Sequence, residues 1–219
     1  LELGGSDPFI ILDDAPILTA SKNAVAARFL NTGQSCIAAK RFIVTKKNAD
    51  AFTNSVLRHI ATLHVGDPLE KETDIGPLVR DEQRTRLENQ ITRSVRQGAT
   101  IRCGGKRFRG EGFFFEPTLL TTVSPTMPVA HEEVFGPVMP IIVAKNETDA
   151  VTVANATMFG LGASLWTRSR RNGERLVPRI NAGFVAVNSM VRSDPRLPFG
   201  GIKHSGIGRE LGRYGLLEF

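Results

Sequence analysis

Apolar and polar positions along this chain change period repeatedly. Short apolar or β-branched runs come at 9–12 ("FIIL"), 41–45 ("RFIVT") and 100–103 ("TIRC"). Others follow at 138–145 ("VMPIIVAK"), 162–167 ("GASLWT") and 183–189 ("GFVAVNS"). Runs of this kind read as strands. Between them the spacing turns helical. Phe52, Val56, Ile60 and Leu63 predict a helix over 48–63 with Asn48 as its N-cap. Leu87, Ile91 and Val95 form a narrow stripe over 81–97, with Gly98 placed to end that helix. A further helix is expected over 147–156, and a polar one runs through Arg175. Strands alternating with helices predict an α/β fold, a largely parallel sheet flanked by helices. No repeat or linker divides the chain, so one domain over 1–219 is expected.

In open sheets of this class, ligands gather beyond the carboxyl ends of the strands. The glycine-rich loops "GGSDP" and "PFGGIKHSGIG" are expected there. Neither is a phosphate cradle by pattern. Gly201 and Gly206 have Walker spacing, but Ile207 and Gly208 follow where Lys and Ser or Thr are required. "GLGASL" lacks the third glycine of a dinucleotide fingerprint.

Composition narrows the classes. Of the 219 residues, 41% are hydrophobic and 23% charged, an ordinary folded composition. No apolar run reaches the roughly 20 residues of a membrane helix, and no signal peptide is expected. The net charge of +6 is scattered apart from "RSRRN" at 168–172, which lacks interleaved aromatics. That cluster reads as a solvated helix start rather than a nucleic-acid patch. The opening "LELGGSDPFIILDDAP" begins in mid-pattern without Met, as expected of a fragment.

Cysteine usage supplies the candidate chemistry. Two cysteines, Cys36 and Cys103, make no disulfide framework and point to a reducing, cytoplasmic setting. No metal is expected: there is no CxxC, and in "HEEVF" Phe135 stands where a zincin motif needs its second histidine. Cys36 closes "NTGQSC", a polar, glycine-containing turn, and the chain becomes apolar and basic only after it. This reads as a presented thiol. With a pKa near about 8.5, a free thiol needs a base, a cation or a helix N-terminus to become nucleophilic. None of His59, His64, His131 and His204 sits in a loop that marks it as that base, so a Cys-His hydrolase or acyltransferase stays an unsupported alternative. A non-catalytic module that buries Cys36 is another. Glu2 in "LELGG" reads by itself as an exposed terminal glutamate, and Cys103 in "TIRCGG" as structural or incidental.

Four strings, "LELGG", "NTGQSC", "EEVFGPV" and "PFGGIKHSGIGRE", in that order across nearly the whole chain, resemble the aldehyde dehydrogenase superfamily. The match is to its catalytic, C-terminal domain. "LELGGSDPFI" and "NSMVRSDPRLPFGGIKHSGIGRELGRYGL" are most similar to the bacterial succinate-semialdehyde dehydrogenase branch. The resemblance implies oxidation of a small aldehyde with NAD or NADP, the dinucleotide-binding domain lying upstream and outside this chain. It implies a homodimer or homotetramer at full length.

Carried over by residue, the resemblance makes Cys36 the nucleophile and Glu2 the general base for deacylation. Glu133 corresponds to a glutamate on the nicotinamide ribose, and Phe135 packs near the ring. Gln83 and Arg86 match more loosely near the ribose; a solvated helix face explains them equally. Phe199 corresponds to an aromatic wall of the substrate tunnel. Arg192 and Arg196, in the loop before it, are the candidates for a substrate carboxylate. Leu30 is a departure, standing where some succinate-semialdehyde dehydrogenases place an arginine. One oxyanion donor is the Cys36 N–H, and the other is an asparagine of the missing domain. Loss of one such donor costs on the order of 100- to 1,000-fold, so the isolated chain is expected to turn over little or no aldehyde.

Overall fold

A computed structural model of the chain describes residues 1–108 and 111–218. Seven strands, β1 (Pro8–Ile11), β2 (Arg41–Thr45), β3 (Thr100–Cys103), β4 (Thr118–Thr121), β5 (Val138–Ala144), β6 (Gly162–Trp166) and β7 (Phe184–Val187), form one sheet. Its order is β3-β4-β5-β2-β1-β6-β7. Every neighbouring pair is parallel except β3 with β4, where the register shifts between Ile101 and Cys103.

The helices are α1 (Ile17–Phe29), α2 (Ala49–Ile60), α3 (Asp81–Arg96), α4 (Pro128–His131), α5 (Glu147–Asn155), α6 (Arg170–Leu176) and α7 (Gly212–Leu216). Strand residues alternate between two cores, as the pleat requires. Phe9, Ile11, Phe42, Val44 and Trp166 pack with Ala20 and Ala24 of α1 and Phe52 and Val56 of α2. Ile10, Ile43, Ile142 and Leu165 face the other way, onto Leu87 and Ile91 of α3 and Ala150, Val151 and Ala154 of α5. The sheet is therefore covered on both faces, which is why its central strands read as unbroken apolar runs.

Three local readings change. The buried face of α3 is Leu87, Gln90, Ile91 and Ser94, while Val95 is 39% exposed. Ser94 earns its burial by hydrogen bonding: its hydroxyl donates to the Gln90 carbonyl and accepts from the Val129 N–H. Asn48 does not cap α2; its side chain donates to the Leu12 carbonyl at 2.8 Å instead. Helix α1 and strand β4 carried no sequence signal strong enough to be predicted. In α1 the buried positions are three alanines, Val25 and Phe29 together with the polar Ser21 and Arg28, which blurs the 3.6-residue period.

The larger correction concerns which end of the sheet gathers the loops. "GGSDP" precedes β1, "NTGQSC" precedes β2 and "EEVFGP" precedes β5. The "PFGG" loop returns to the segments entering β6 and β7, where Ile202 and Gly183 both donate to the Gly160 carbonyl. All four loops meet at the amino ends of the central parallel strands, not the carboxyl ends. Cys36, Glu133 and Phe135 sit on return loops from helix to strand, whereas Phe199 lies on the segment between β7 and α7 that folds back to the same end.

Candidate active site

The local backbone explains why "NTGQSC" is polar. Asn31, Thr32 and Gly33 follow one another at φ of 49°, 58° and 73°, all left-handed. For a β-branched Thr this is a strained conformation that its surroundings must enforce. They do so through hydrogen bonds. Thr32 Oγ1 donates to the Gly76 carbonyl at 3.3 Å and accepts from the Gly76 N–H at 3.1 Å. Asn31 Nδ2 donates to the Gln34 carbonyl, and Gln34 clamps the 77–79 segment through Pro77 and Val79. The Gly33 carbonyl accepts from Arg28 at 2.7 Å and from the Gly136 N–H at 3.1 Å. The polar residues hold the turn rather than face a ligand.

The turn delivers Cys36 half-buried against Leu161, Val191 and Phe199. Phe199 is held by a reciprocal backbone pair with Glu210, both bonds at 2.7 Å, and its ring lies 6.1 Å from that of Phe184. Glu2 and Phe199 line one small cleft of about 230 Å³ with Ile207, Gly208, Arg209 and Glu210. The segment bearing Glu2 is paired to 205–207 through Leu1–Ile207 and Leu3–Ser205 bonds. Glu2 is exposed, as its terminal place suggests, yet what burial its carboxylate has, then the nearby Glu210 carboxylate, raises its pKa.

A second cleft, of about 490 Å³, brings Gln83, Arg86, Glu133 and Phe135 together with Val79, Arg80, Glu82, Leu87 and Gln90. Gln83 donates to the Phe135 carbonyl at 3.0 Å, and Gln90 to that of Glu133 at 3.2 Å. The two neighbouring glutamates part company. Glu132 turns to Arg93 at 2.6 Å, and Glu133 turns inward to accept from the Gly5 N–H at 2.9 Å.

Behind both clefts lies a set of buried charges that sequence reasoning missed: Asp7, Arg28, Lys40 and Arg41. Arg28 donates to the Ala39 and Gly33 carbonyls, and Arg41 to those of Ser6, Val153 and Ala154. Asp7 accepts from the Gly162 N–H at 3.0 Å, and burial pushes its pKa up to about 6 against the pull of Lys40. Lys40 Nζ donates to the carbonyls of Ser35, Cys36 and Ala38 and lies 3.8 Å from Glu133 Oε1. Burial, then Arg28, lowers its pKa to about 8. The one available signal was "AAKRF", two cations entering an apolar strand.

Burial raises the Cys36 thiol pKa, Lys40 pulls it down, and Glu2 and Asp7 push it up. No histidine acts on the Cys36 thiol among the described residues, so the hydrolase alternative gains no support here. Cys103 is half-buried beside the Pro117 carbonyl, and burial raises its pKa too. The two arginines stand apart. Arg196 forks onto Asp194, 2.9 and 2.6 Å away, and is 85% exposed. Arg192 is exposed and, among the described residues, donates only to Met190 Sδ, at 3.4 Å. Neither lines the cleft of Glu2 and Phe199.

The sequence pattern of the aldehyde dehydrogenase family matches residues 1–219. The chain is 48% identical over its whole length to succinate-semialdehyde dehydrogenase [NADP(+)] 1 of Mycobacterium tuberculosis, covering 48% of that protein. It is 49% identical to a probable succinate-semialdehyde dehydrogenase [NADP(+)] of Synechocystis, again over 100% of the chain and 48% of the relative. The crystal structure of a Mycobacterium tuberculosis aldehyde dehydrogenase complexed with NAD+ superposes with a TM-score of 0.95 at 38% identity, covering 100% of this chain and 45% of that one. The chain thus spans about half the length of the curated relatives it matches.

Proposed function

The chain belongs to the aldehyde dehydrogenase family, and from that premise we propose that it is the catalytic domain of an NAD(P)+-dependent enzyme oxidising succinate semialdehyde. One observation carries the reading. A half-buried thiol on an enforced turn shares an apolar cluster with Phe199, and its backbone shares a buried lysine with Glu133.

The residues present fit a nicotinamide dinucleotide. Glu133 uses Oε1 for Gly5 and Lys40, and Oε2 has no hydrogen-bond partner among the described residues, leaving an acceptor for ribose hydroxyls. Phe135 gives the same cleft an apolar wall. When bound, such a group supplies the hydride acceptor. The chain's own residues do the rest. The Cys36 thiolate adds to the aldehyde carbon, and the carbonyl electron pair moves onto oxygen, which the Cys36 N–H can bind. Loss of hydride from carbon leaves a thioester on Cys36. Glu2 takes a proton from water, whose oxygen attacks the thioester carbon, and the acid leaves as the thiol is regenerated. The raised pKa makes Glu2 a stronger base toward water than an ordinary carboxylate.

Both cysteines are free, and a reducing compartment such as the cytoplasm keeps the nucleophile so. We further propose a homodimer or homotetramer at full length. These 219 residues alone are proposed to turn over little aldehyde, because the family resemblance assigns the second oxyanion donor to a residue outside them.

Aldehyde-dependent NAD(P)H formation tests the reading in the protein expressed at full length. Cys36→Ser is expected to abolish it and Cys103→Ser to leave it intact. Glu2→Gln is expected to preserve a first-turnover burst while slowing the steady state about 100-fold or more. Undiminished turnover by Cys36→Ser would end the proposal.

A further inference from the structure

Lys40 is a fully buried charge beside the nucleophile that the proposed reaction leaves without a task. Its ammonium is essentially inaccessible and donates to three carbonyls of its own loop: Ser35 at 3.0 Å, Cys36 at 2.8 Å and Ala38 at 3.1 Å. The charged groups that act on it come from several elements. They are Arg28 of α1, Asp7 before β1, Glu133 before β5, and the Cys36 thiol, with the Phe135 ring 5.9 Å away. Three carbonyls satisfy the three ammonium donors, so the ion is anchored at the loop rather than at a partner carboxylate.

That anchoring has a geometric consequence. All peptide bonds of the described chain are trans, so each N–H points opposite to the C=O of the same peptide unit. Drawing the Ser35 carbonyl toward Lys40 turns the Cys36 N–H away from it. Drawing the Cys36 carbonyl back does the same for the Ile37 N–H, which then stabilises the thiolate. The Cys36 N–H makes no hydrogen bond within the described residues, and it is the donor the proposed reaction needs for its oxyanion. The third unit is also accounted for: its N–H, on Ala39, donates to the Ala27 carbonyl at 3.1 Å and ties the loop to α1.

We infer that Lys40 is the positioning residue of the nucleophile loop. Its ammonium holds three carbonyls on one side so that the Cys36 and Ile37 N–H groups face the sulfur and the reacting oxygen on the other. It touches neither substrate nor the reacting atoms. The role deepens the proposed dehydrogenase reading and rests on it for the identity of the reaction, though not for the state of the thiol.

The test reads the thiol directly. In the full-length protein, the rate of iodoacetamide labelling at Cys36 is followed from pH 6 to 10, with Cys103→Ser as background. Lys40→Met keeps length and apolar bulk but removes the donors and the charge. It is expected to move the labelling profile to higher pH and to slow labelling at pH 7 about tenfold. In turnover it is expected to lower kcat with little change in aldehyde KM. A folded Lys40→Met protein with the wild-type labelling profile overturns the inference. If Lys40→Met does not fold, the wild-type protein decides by NMR. Slowly exchanging Lys40 ammonium protons, whose titration moves the Cys36 amide resonance, support the role. A Lys40 signal with the exchange of a free side chain overturns it. A shifted labelling profile in an enzyme that never oxidises aldehyde would keep Lys40's role and reject the dehydrogenase proposal instead.

Discussion

The Gly5 N–H donates to Glu133 Oε1 at 2.9 Å, joining residues 128 apart in sequence and the two strings that flank the thiol loop. The approach is close enough that side chains are excluded. A Cβ on neighbouring Gly4 would stand 2.5 Å from Glu133 Oε2, and one on Gly5 would stand 2.9 Å from the Cys36 carbonyl oxygen. "LELGG" is thus a carboxylate-bearing segment whose glycines let it pass between the thiol loop and Glu133.

Gly4→Ala tests that relationship. The added methyl must displace the Glu133 carboxylate, which is proposed to bind the ribose. The dissociation constant of the nicotinamide cofactor is expected to rise about tenfold, with labelling of Cys36 little changed. Isothermal titration on the full-length protein measures it, and an unchanged constant would remove Glu133 Oε2 from the cofactor site.

The sequence disclosed strands, chemistry-bearing strings and their order, because buried strands and glycine turns leave strong local signals. It could not disclose which sheet end they occupy. That depends on whether each string lies on the strand-to-helix or the helix-to-strand loop, and α1, the element that settles it for Cys36, has a weak pattern. The inward turn of Glu133 was not legible in "EEVFG", because it is fixed by Gly5, far away in sequence. Lys40 and Arg28 stayed hidden because their partners are backbone carbonyls, which any sequence has.

Asp7 gives the fold a pH signature. Its pKa is about 6 in the folded protein against an ordinary value of 3.8. Well below pH 3.8 both states are protonated and the carboxyl costs nothing. Between pH 4 and 6 the unfolded chain releases the proton while the folded one keeps it, so stability falls as pH rises. The loss is on the order of 3 kcal/mol and persists above pH 6. Asp7→Asn lacks this titration. The stability of wild type minus that of Asp7→Asn, from urea melts, is expected to decline between pH 4 and 6 and then level off. A difference constant across that window would mean the carboxyl is not held protonated.

The two loop arginines are expected to differ. Arg196 is already neutralised by Asp194 and borders a separate cleft with Leu211, Gly212 and Arg213. Arg192 has no carboxylate partner among the described residues. If a substrate carboxylate is gripped from this loop, Arg192→Ala should raise KM for succinate semialdehyde roughly 10- to 100-fold, the worth of a charge-assisted bond. It should leave KM for butanal unchanged. Arg196→Ala should do little to either. Equal effects on both aldehydes would place the carboxylate site elsewhere.

The left-handed turn makes Gly33 the most constrained position before the thiol. An added Cβ there would collide with the Gly136 carbonyl oxygen and stand 2.5 Å from Arg28 Nη2. The first obstacle is backbone, and the second is a side chain pinned by the Ala39 and Gly33 carbonyls. Neither can swing away cheaply. The φ of 73° adds its own penalty for a residue bearing a Cβ. Gly33→Ala is therefore expected to cost roughly 2–5 kcal/mol, seen as a thermal midpoint several degrees lower. Because Gly136 shares the strained contact, the displacement should reach Phe135 next to it, and cofactor binding should weaken together with Cys36 labelling. Asn31→Gly, at a φ of 49° in the same turn, relieves strain and removes only the Asn31–Gln34 bond; its effect should stay within about 1 kcal/mol. A Gly33→Ala protein as stable and as reactive at Cys36 as wild type would show that the thiol does not depend on this turn for its position.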